Sequence, residues 1–197
     1  MRNLLSLGLA AACALLAGCG DHSDQHAVTI VYSGNHLRSF DTNVGNLAHG
    51  SLRLSDRQVI IHADGAPDAS ITADGDLRVN QQQVVTAPAD RDMLKSYYAH
   101  MLAIRSDGIA IGKAGADVGK QAVESVATRL LSGQPDRIEQ DVDSKTKLVT
   151  AAAMKVCQDL SGIKTSQDRL AADLPAFKPY GNVISGSDIT DCAKDNN

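Results

Sequence analysis

Apolar residues recur mostly at every second position over residues 28–85 and at every third or fourth position from Thr86 onward. That change of period fixes the fold class. A strand points alternate side chains to opposite faces, whereas a helix returns to the same face after three or four residues. Val28, Ile30 and Tyr32 alternate, as do Leu52 and Leu54, Val59 and Ile61, Ala69 and Ile71, and Leu77 and Val79. The stretch predicts antiparallel sheet built as a meander, with short polar links between strands. Ala-Asp-Gly occurs at 63–65 and again at 73–75, and glycine after aspartate accepts the positive φ of a tight turn. The second of these turns predicts its own register. A loop of Ala73, Asp74 and Gly75 sets Ile71 opposite Leu77 and Ala69 opposite Val79 on one apolar face, whereas a loop of Asp74 and Gly75 alone sets Ile71 opposite Arg78.

Beyond residue 85 the sequence reads as helices. Thr86 suits an N-cap, Pro88 a first turn, and Asp90 and Asp92 the positive end of a helix dipole; Met93, Tyr97, Met101 and Ile104 form one stripe. The first helix is expected to end near Arg105, because Ser106-Asp107-Gly108 reads as punctuation. A second helix is expected to end near Gly133, with Pro135 close behind. On it Gly108, Gly112, Gly115, Gly119, Ala122 and Val126 share a face, opposite Lys113, Asp117 and Lys120. Each glycine inside a helix costs about 0.5 to 1 kcal/mol relative to alanine, so this seam predicts a second backbone coming very close. That backbone belongs either to a neighbouring helix or to a second copy of the chain. A third helix opens near Pro135 and Asp136, with a seam of Ile138, Val142, Val149, Ala152, Val156, Leu160 and Ile163 interrupted by Lys145. The short connection makes the two an antiparallel hairpin. Thr165 to Asp168 is expected to cap a short fourth helix ending before Pro175, and Pro179, Gly181 and Gly186 predict an irregular tail. The expected class is therefore α+β: an N-terminal antiparallel β-meander, then three to four helices including a long antiparallel helical hairpin. Residues 28–197 form one domain, mainly β over 28–85, mainly α over 86–175 and irregular over 176–197.

The N-terminus carries an address. Met-Arg-Asn precedes an apolar run from Leu4 to Ala17, about fourteen residues where a bilayer span needs roughly twenty, so a cleaved signal over 1–18 is expected. Leu16-Ala17-Gly18-Cys19 resembles the lipobox of bacterial lipoproteins, whose cysteine takes a diacylglyceryl group. Two or more acyl chains on Cys19 make a lasting anchor, at about 0.8 kcal/mol per buried methylene. Residues 19–27 then read as a lipidated tether. His22 and His26 fall on it four apart, but nothing there favours a helix to bring them together. Gly20, where aspartate favours the inner membrane, directs the expectation to the outer one, with the domain facing the periplasm.

Charge and cysteines narrow the class further. The formal net charge is −4, and loss of Arg2 with the signal makes it −5, a sign that argues against nucleic acid. Tryptophan is absent and aromatics make up 3%, which leaves few stacking platforms for sugars or bases. Of four cysteines, Cys13 leaves with the signal and Cys19 is acylated, so Cys157 and Cys192 remain as an even pair in an oxidising compartment and are expected to form a disulfide.

Catalytic motifs are missing. The chain has no Gly-x-Ser-x-Gly elbow, His-Glu-x-x-His helix, phosphate loop or Gly-x-Gly-x-x-Gly turn. Ser161-Gly-Ile-Lys164 matches Ser-x-x-Lys without the Ser-Asp-Asn and Lys-Thr-Gly that complete a penicillin-recognising site, and Ser33-Gly-Asn-His36 matches an esterase set only in residue types. Asp64, Asp68, Asp74 and Asp76 lack calcium-loop spacing and read as turn residues. His36, His49, His62 and His100 are left as groups that folding alone could bring to a serine or a metal. No catalytic residue, metal or cofactor is expected.

Ala69-Ser-Ile-Thr-Ala-Asp-Gly-Asp-Leu-Arg-Val79, followed by Tyr97 and by Arg105-Ser-Asp-Gly108, resembles the YggN-like family of proteobacterial envelope proteins. The resemblance covers about residues 59 to 108. It implies a β-hairpin with Asp-Gly, long helices, a late cysteine and an envelope compartment, and it transfers no functional residue. This chain departs from the pattern by its lipobox and its glycine seam. The expected role is that of a lipid-anchored protein without catalytic activity that binds a protein partner in the periplasm, such as an inhibitor or immunity protein against an envelope-directed toxin or hydrolase. A structural, self-associating lipoprotein is the alternative, and a periplasmic hydrolase is a further one.

Overall fold

The computed structural model describes residues 29–36, 39–55, 57–129 and 136–195, with side chains over 42–45, 47–55, 57–117, 119–120 and 146–195. The expected signal 1–18, Cys19 and the tether 19–27 lie outside the described residues.

Seven strands come first: β1 (Thr29–His36), β2 (Ser39–Leu47), β3 (Gly50–Ser55), β4 (Gln58–Ala63), β5 (Ala69–Thr72), β6 (Leu77–Val79) and β7 (Gln82–Val84). They pair in chain order, each antiparallel to the next, which is the expected meander. The alternation sorts the two faces as anticipated: Leu52, Leu54, Val59, Ile61, Ala69, Ile71 and Leu77 are buried, while Arg53, Gln58, His62 and Arg78 point away. The turn at 73–75 takes the predicted register, with Ile71 opposite Leu77 and Ala69 opposite Val79. Gly75 has φ +77, and helix residue Arg91 clasps the turn, its Nε donating to the Asp74 carbonyl at 3.0 Å and its guanidinium pairing with Asp76. Asn80 and Gln81 hold φ of 49 and 64 between β6 and β7, a two-residue hairpin turn whose twist matches the strands.

Three helices and a 3₁₀ segment follow: α1 (Pro88–Arg129), α2 (Asp136–Asp173), the 3₁₀ segment Pro175–Tyr180 and α3 (Gly186–Asp195). The long hairpin is present, but its first arm is one helix where two were expected. Ser106-Asp107-Gly108 does not stop α1, because Gly108 is buried within a packed stripe of Leu94, Tyr97, Met101, Ile104, Gly108 and Ile111 at alternating spacings of three and four. Packing along that stripe outweighs a glycine cost of about 1 kcal/mol. The expected fourth helix is likewise part of α2: the Thr165 hydroxyl donates back to the Ser161 carbonyl at 2.9 Å, a mid-helix bond, instead of capping a new start.

The tail, expected to be irregular, holds the helix α3. Ser185 and Asp188 form a reciprocal cap on α3: the Ser185 N–H donates to Asp188 Oδ2 at 2.7 Å, and the Asp188 N–H to Ser185 Oγ at 3.2 Å. Buried Gln167 of α2 holds the preceding loop, donating from Nε2 to the carbonyls of Gly181 (3.0 Å) and Ile184 (2.9 Å) and accepting from the Ile184 N–H (3.0 Å). Capping serine and aspartate three apart were visible in the sequence, but Gly186 at the first turn masked them.

Tyr97 lies at the centre of the core, edge-on to Phe177 with centroids 6.2 Å apart, and Phe177 in turn contacts Tyr180. The Tyr180 hydroxyl donates to the Pro67 carbonyl at 2.5 Å and so ties the 3₁₀ segment to the sheet. The Tyr97 hydroxyl is fully buried and has no hydrogen-bond partner among the described residues. An unmade bond of this kind costs about 1 to 3 kcal/mol. Tyr97→Phe is therefore expected to raise stability by about 1 kcal/mol in urea unfolding, whereas a hydroxyl with a partner gives a loss. Burial pushes the Tyr97 phenol far above its ordinary value, and burial with the Asp68 carboxylate pushes Tyr180 up as well. For an acid whose folded pKa is raised, the unfolded chain releases its proton first. Stability is thus whole below about pH 10 and falls as pH rises past it, more steeply in wild type than in Tyr97→Phe.

Candidate functional site

The face of the sheet turned away from the helices is built from register. Asn43 of β2 stands opposite Arg53 of β3, Arg53 opposite Ile60, Ile60 opposite Ser70, Ser70 opposite Arg78, and Arg78 opposite Gln83 of β7. One row of side chains therefore crosses six strands on a single face. Arg53, Arg78 and Gln83 are exposed, and Asn43, Ile60 and Ser70 are half-buried. Among the described residues neither arginine has a carboxylate partner, and no described helix packs on this face.

A second row on the same face holds Ser51 of β3 opposite His62 of β4, whose Nδ1 lies 2.9 Å from Asp68 Oδ1. Serine, histidine and aspartate side by side are the residue types of a nucleophile, its base and an orienting acid. No hydrogen bond joins Ser51 to His62 among the described residues, and His62 and Asp68 are 58% and 63% exposed. At that exposure water screens the pair, and the serine lacks the contact that activates a nucleophile.

The other histidines go elsewhere. His100 Nδ1 lies 2.9 Å from Asp159 Oδ1 and so links α1 to α2. Its ring rests against Gly162 so closely that any Cβ there overlaps Cε1 and Nε2. His100 is thus engaged in helix pairing, with Gly162 as the surface it lies on. His49 is exposed, and the side chain of His36 lies outside the described ones. Among the described residues no three His, Cys, Asp or Glu side chains converge, and no helix is long and apolar enough to cross a membrane.

Two of the sequence-predicted residues are brought together: Cys157 of α2 and Cys192 of α3 form a disulfide, Cα to Cα 5.7 Å. The glycine seam is divided. Gly108 is buried, but Gly112, Gly115 and Gly119 are exposed, and a Cβ on any of them meets nothing within 4 Å among the described residues. Among the described residues the expected close helix packing therefore reaches only Gly108. From Ile109 to Lys120 no described side chain of α1 is buried, nor is any of α2 over 146–155, so the three glycines prolong the core-facing side of α1 past the end of the core. Gly115→Ala is accordingly expected to stabilise the chain by about 0.5 to 1 kcal/mol, read as a rise in thermal midpoint; a loss indicates a close neighbour at that position. Sequence reasoning did not single out Arg53 and Arg78. Strand alternation already turned both outward, but their shared row appears only once strands three apart in the chain are in register.

Compared with protein-family models, curated proteins and solved structures, the chain has no match in any of the three.

Proposed function

We propose that the chain is a lipid-anchored protein of the bacterial envelope that works by binding another protein in the periplasm, without catalysis of its own. The observation that carries the reading is the cysteine arithmetic. Cys19 closes a lipobox-like sequence, and the two cysteines left in the folded part form a disulfide between α2 and α3, which suits an oxidising compartment. The resemblance to the YggN-like family supports the same compartment. Thr29, the first described residue of β1, follows Cys19 by ten positions, so the tether holds the sheet within about 35 Å of the membrane surface. A small acidic domain held at that distance acts by occupying the surface of a neighbour, as an inhibitor or immunity protein does. Mass spectrometry of protein extracted from membranes is expected to find a diacylglyceryl thioether on Cys19 and no residue before it. Cys19→Ser is expected to keep the signal and lose the lipid. A bare thiol at an intact N-terminus overturns the reading.

Two alternatives each have one observation in their favour. Self-association is favoured by Gly112, Gly115 and Gly119 lying exposed beside Ile109, itself 46% exposed. Gly115→Leu then dissociates an oligomer while the thermal midpoint holds, and a monomeric wild type ends that idea. Hydrolysis is favoured by the row Ser51, His62 and Asp68, and an esterase activity that survives Ser51→Ala removes it.

A further inference from the structure

We propose that the outer face of the sheet is the surface on which the partner protein docks, and that the partner presents two separate carboxylate-bearing positions to Arg53 and Arg78; this rests on the partner-binding reading above. The two arginines stand in one row with Ile60 and Ser70 between them, their backbone positions three strand spacings or about 14 Å apart. Two anchor points set that far apart along the sheet suit a protein surface with two acidic side chains better than a single small anion. Both arginines are exposed and without a carboxylate partner among the described residues, and the carboxylate of Asp76 is taken by Arg91. On a chain whose net charge is −4, this pair of exposed arginines is where an acidic partner is steered.

Composition agrees. Every lysine of the chain lies at or beyond Lys95 and both glutamates, Glu124 and Glu139, lie later still, so over 29–87 the only fixed cations are arginines. Lysine and glutamate are depleted from protein interfaces and arginine is enriched, because a planar guanidinium grips a carboxylate through two bonds and gives up less water in doing so. The half-buried side chain of Ile60 supplies an apolar centre between the two charged positions, the arrangement in which a contact is best shielded from solvent.

The test uses the full, membrane-anchored chain in the cells that make it, with the photo-crosslinking residue benzoylphenylalanine at Ser70 or, for comparison, at Lys113 on the exposed part of α1. The expected result is an adduct from Ser70 with a different protein, its crosslinked peptide rich in Asp or Glu. Its yield is expected to fall at least tenfold in Arg53→Glu/Arg78→Glu and by a smaller factor in Arg53→Gln/Arg78→Gln, with unchanged thermal midpoints. An adduct from Ser70 that neither pair of substitutions weakens overturns the proposal, as does one with lipid or with a second copy of this chain. An adduct from Lys113 but not Ser70 overturns the docking face and leaves partner binding standing. No adduct from either position overturns both.

Discussion

Replacing Cys157 and Cys192 together by serine is expected to lower the stability of the folded chain by about 3 to 4 kcal/mol. The bond joins positions 35 apart, and closing a loop of that length removes roughly this much freedom from the unfolded chain. The effect falls on α3 first. That helix is ten residues long, too short to stand alone in water, and apart from the disulfide it is held by its Ser185–Asp188 cap, by the Gln167 clamp on the loop before it and by Ile189 packed against the core. Hydrogen exchange is the measurement that separates local from global loss. Amides of α3 are expected to exchange fastest in the double variant, while those of β3 and β4 follow only the fall in global stability. Reduction of wild type should reproduce the drop, and the same treatment of the double variant should do nothing. A variant as stable as wild type shows that the cap, the clamp and the packing of Ile189 hold the tail without the bond.

Most of the sheet was legible in the sequence because its signal is local. Leu52/Leu54, Val59/Ile61 and Ala69/Ile71 alternate within a few residues, and the register at 73–75 follows from the turn length that keeps Ile71 and Leu77 on one apolar face. β2 gave no comparable signal: Asp41, Asn43, Gly45 and Asn46 dilute its pattern, and Thr42 is a polar residue in a core position. The helix breaks failed for the opposite reason. Gly108 and Thr165 carry the local marks of an end and a start, and packing over the hairpin overrides both, since α1 and α2 gain more from continuing against each other than a glycine or a misplaced hydroxyl costs. The glycine seam shows where helical geometry alone misleads. Gly108 and Gly115 share an angular face on α1, yet one is covered by the core and the other is not, because coverage depends on how far the sheet extends beneath the helix. The disulfide needed only parity and the expectation of an oxidising compartment, so it was legible without any geometry. The Arg53–Arg78 row needed register across β3 to β6, which no single window of sequence contains.

Gly50→Ala is expected to cost more than 3 kcal/mol or to prevent folding, whereas Gly65→Ala is expected to cost about 1 kcal/mol. Both glycines hold positive φ, +152 and +76, so both substitutions force a side chain into a backbone region that L-residues avoid. What differs is the neighbour. A Cβ on Gly65 meets nothing within 4 Å, so only the backbone preference is lost. A Cβ on Gly50 falls onto the carbonyl oxygen of His62, well inside contact distance. That carbonyl belongs to β4, which is paired with β3 along its length from Gly50 opposite Ala63 to Ser55 opposite Gln58. It cannot withdraw without opening the ladder that carries buried Leu52, Leu54, Val59 and Ile61. A flexible side chain in the way would swing aside; a strand backbone takes its whole register with it. Urea unfolding of the two variants against wild type is the direct measurement, and equal losses at the two positions refute the steric account of Gly50.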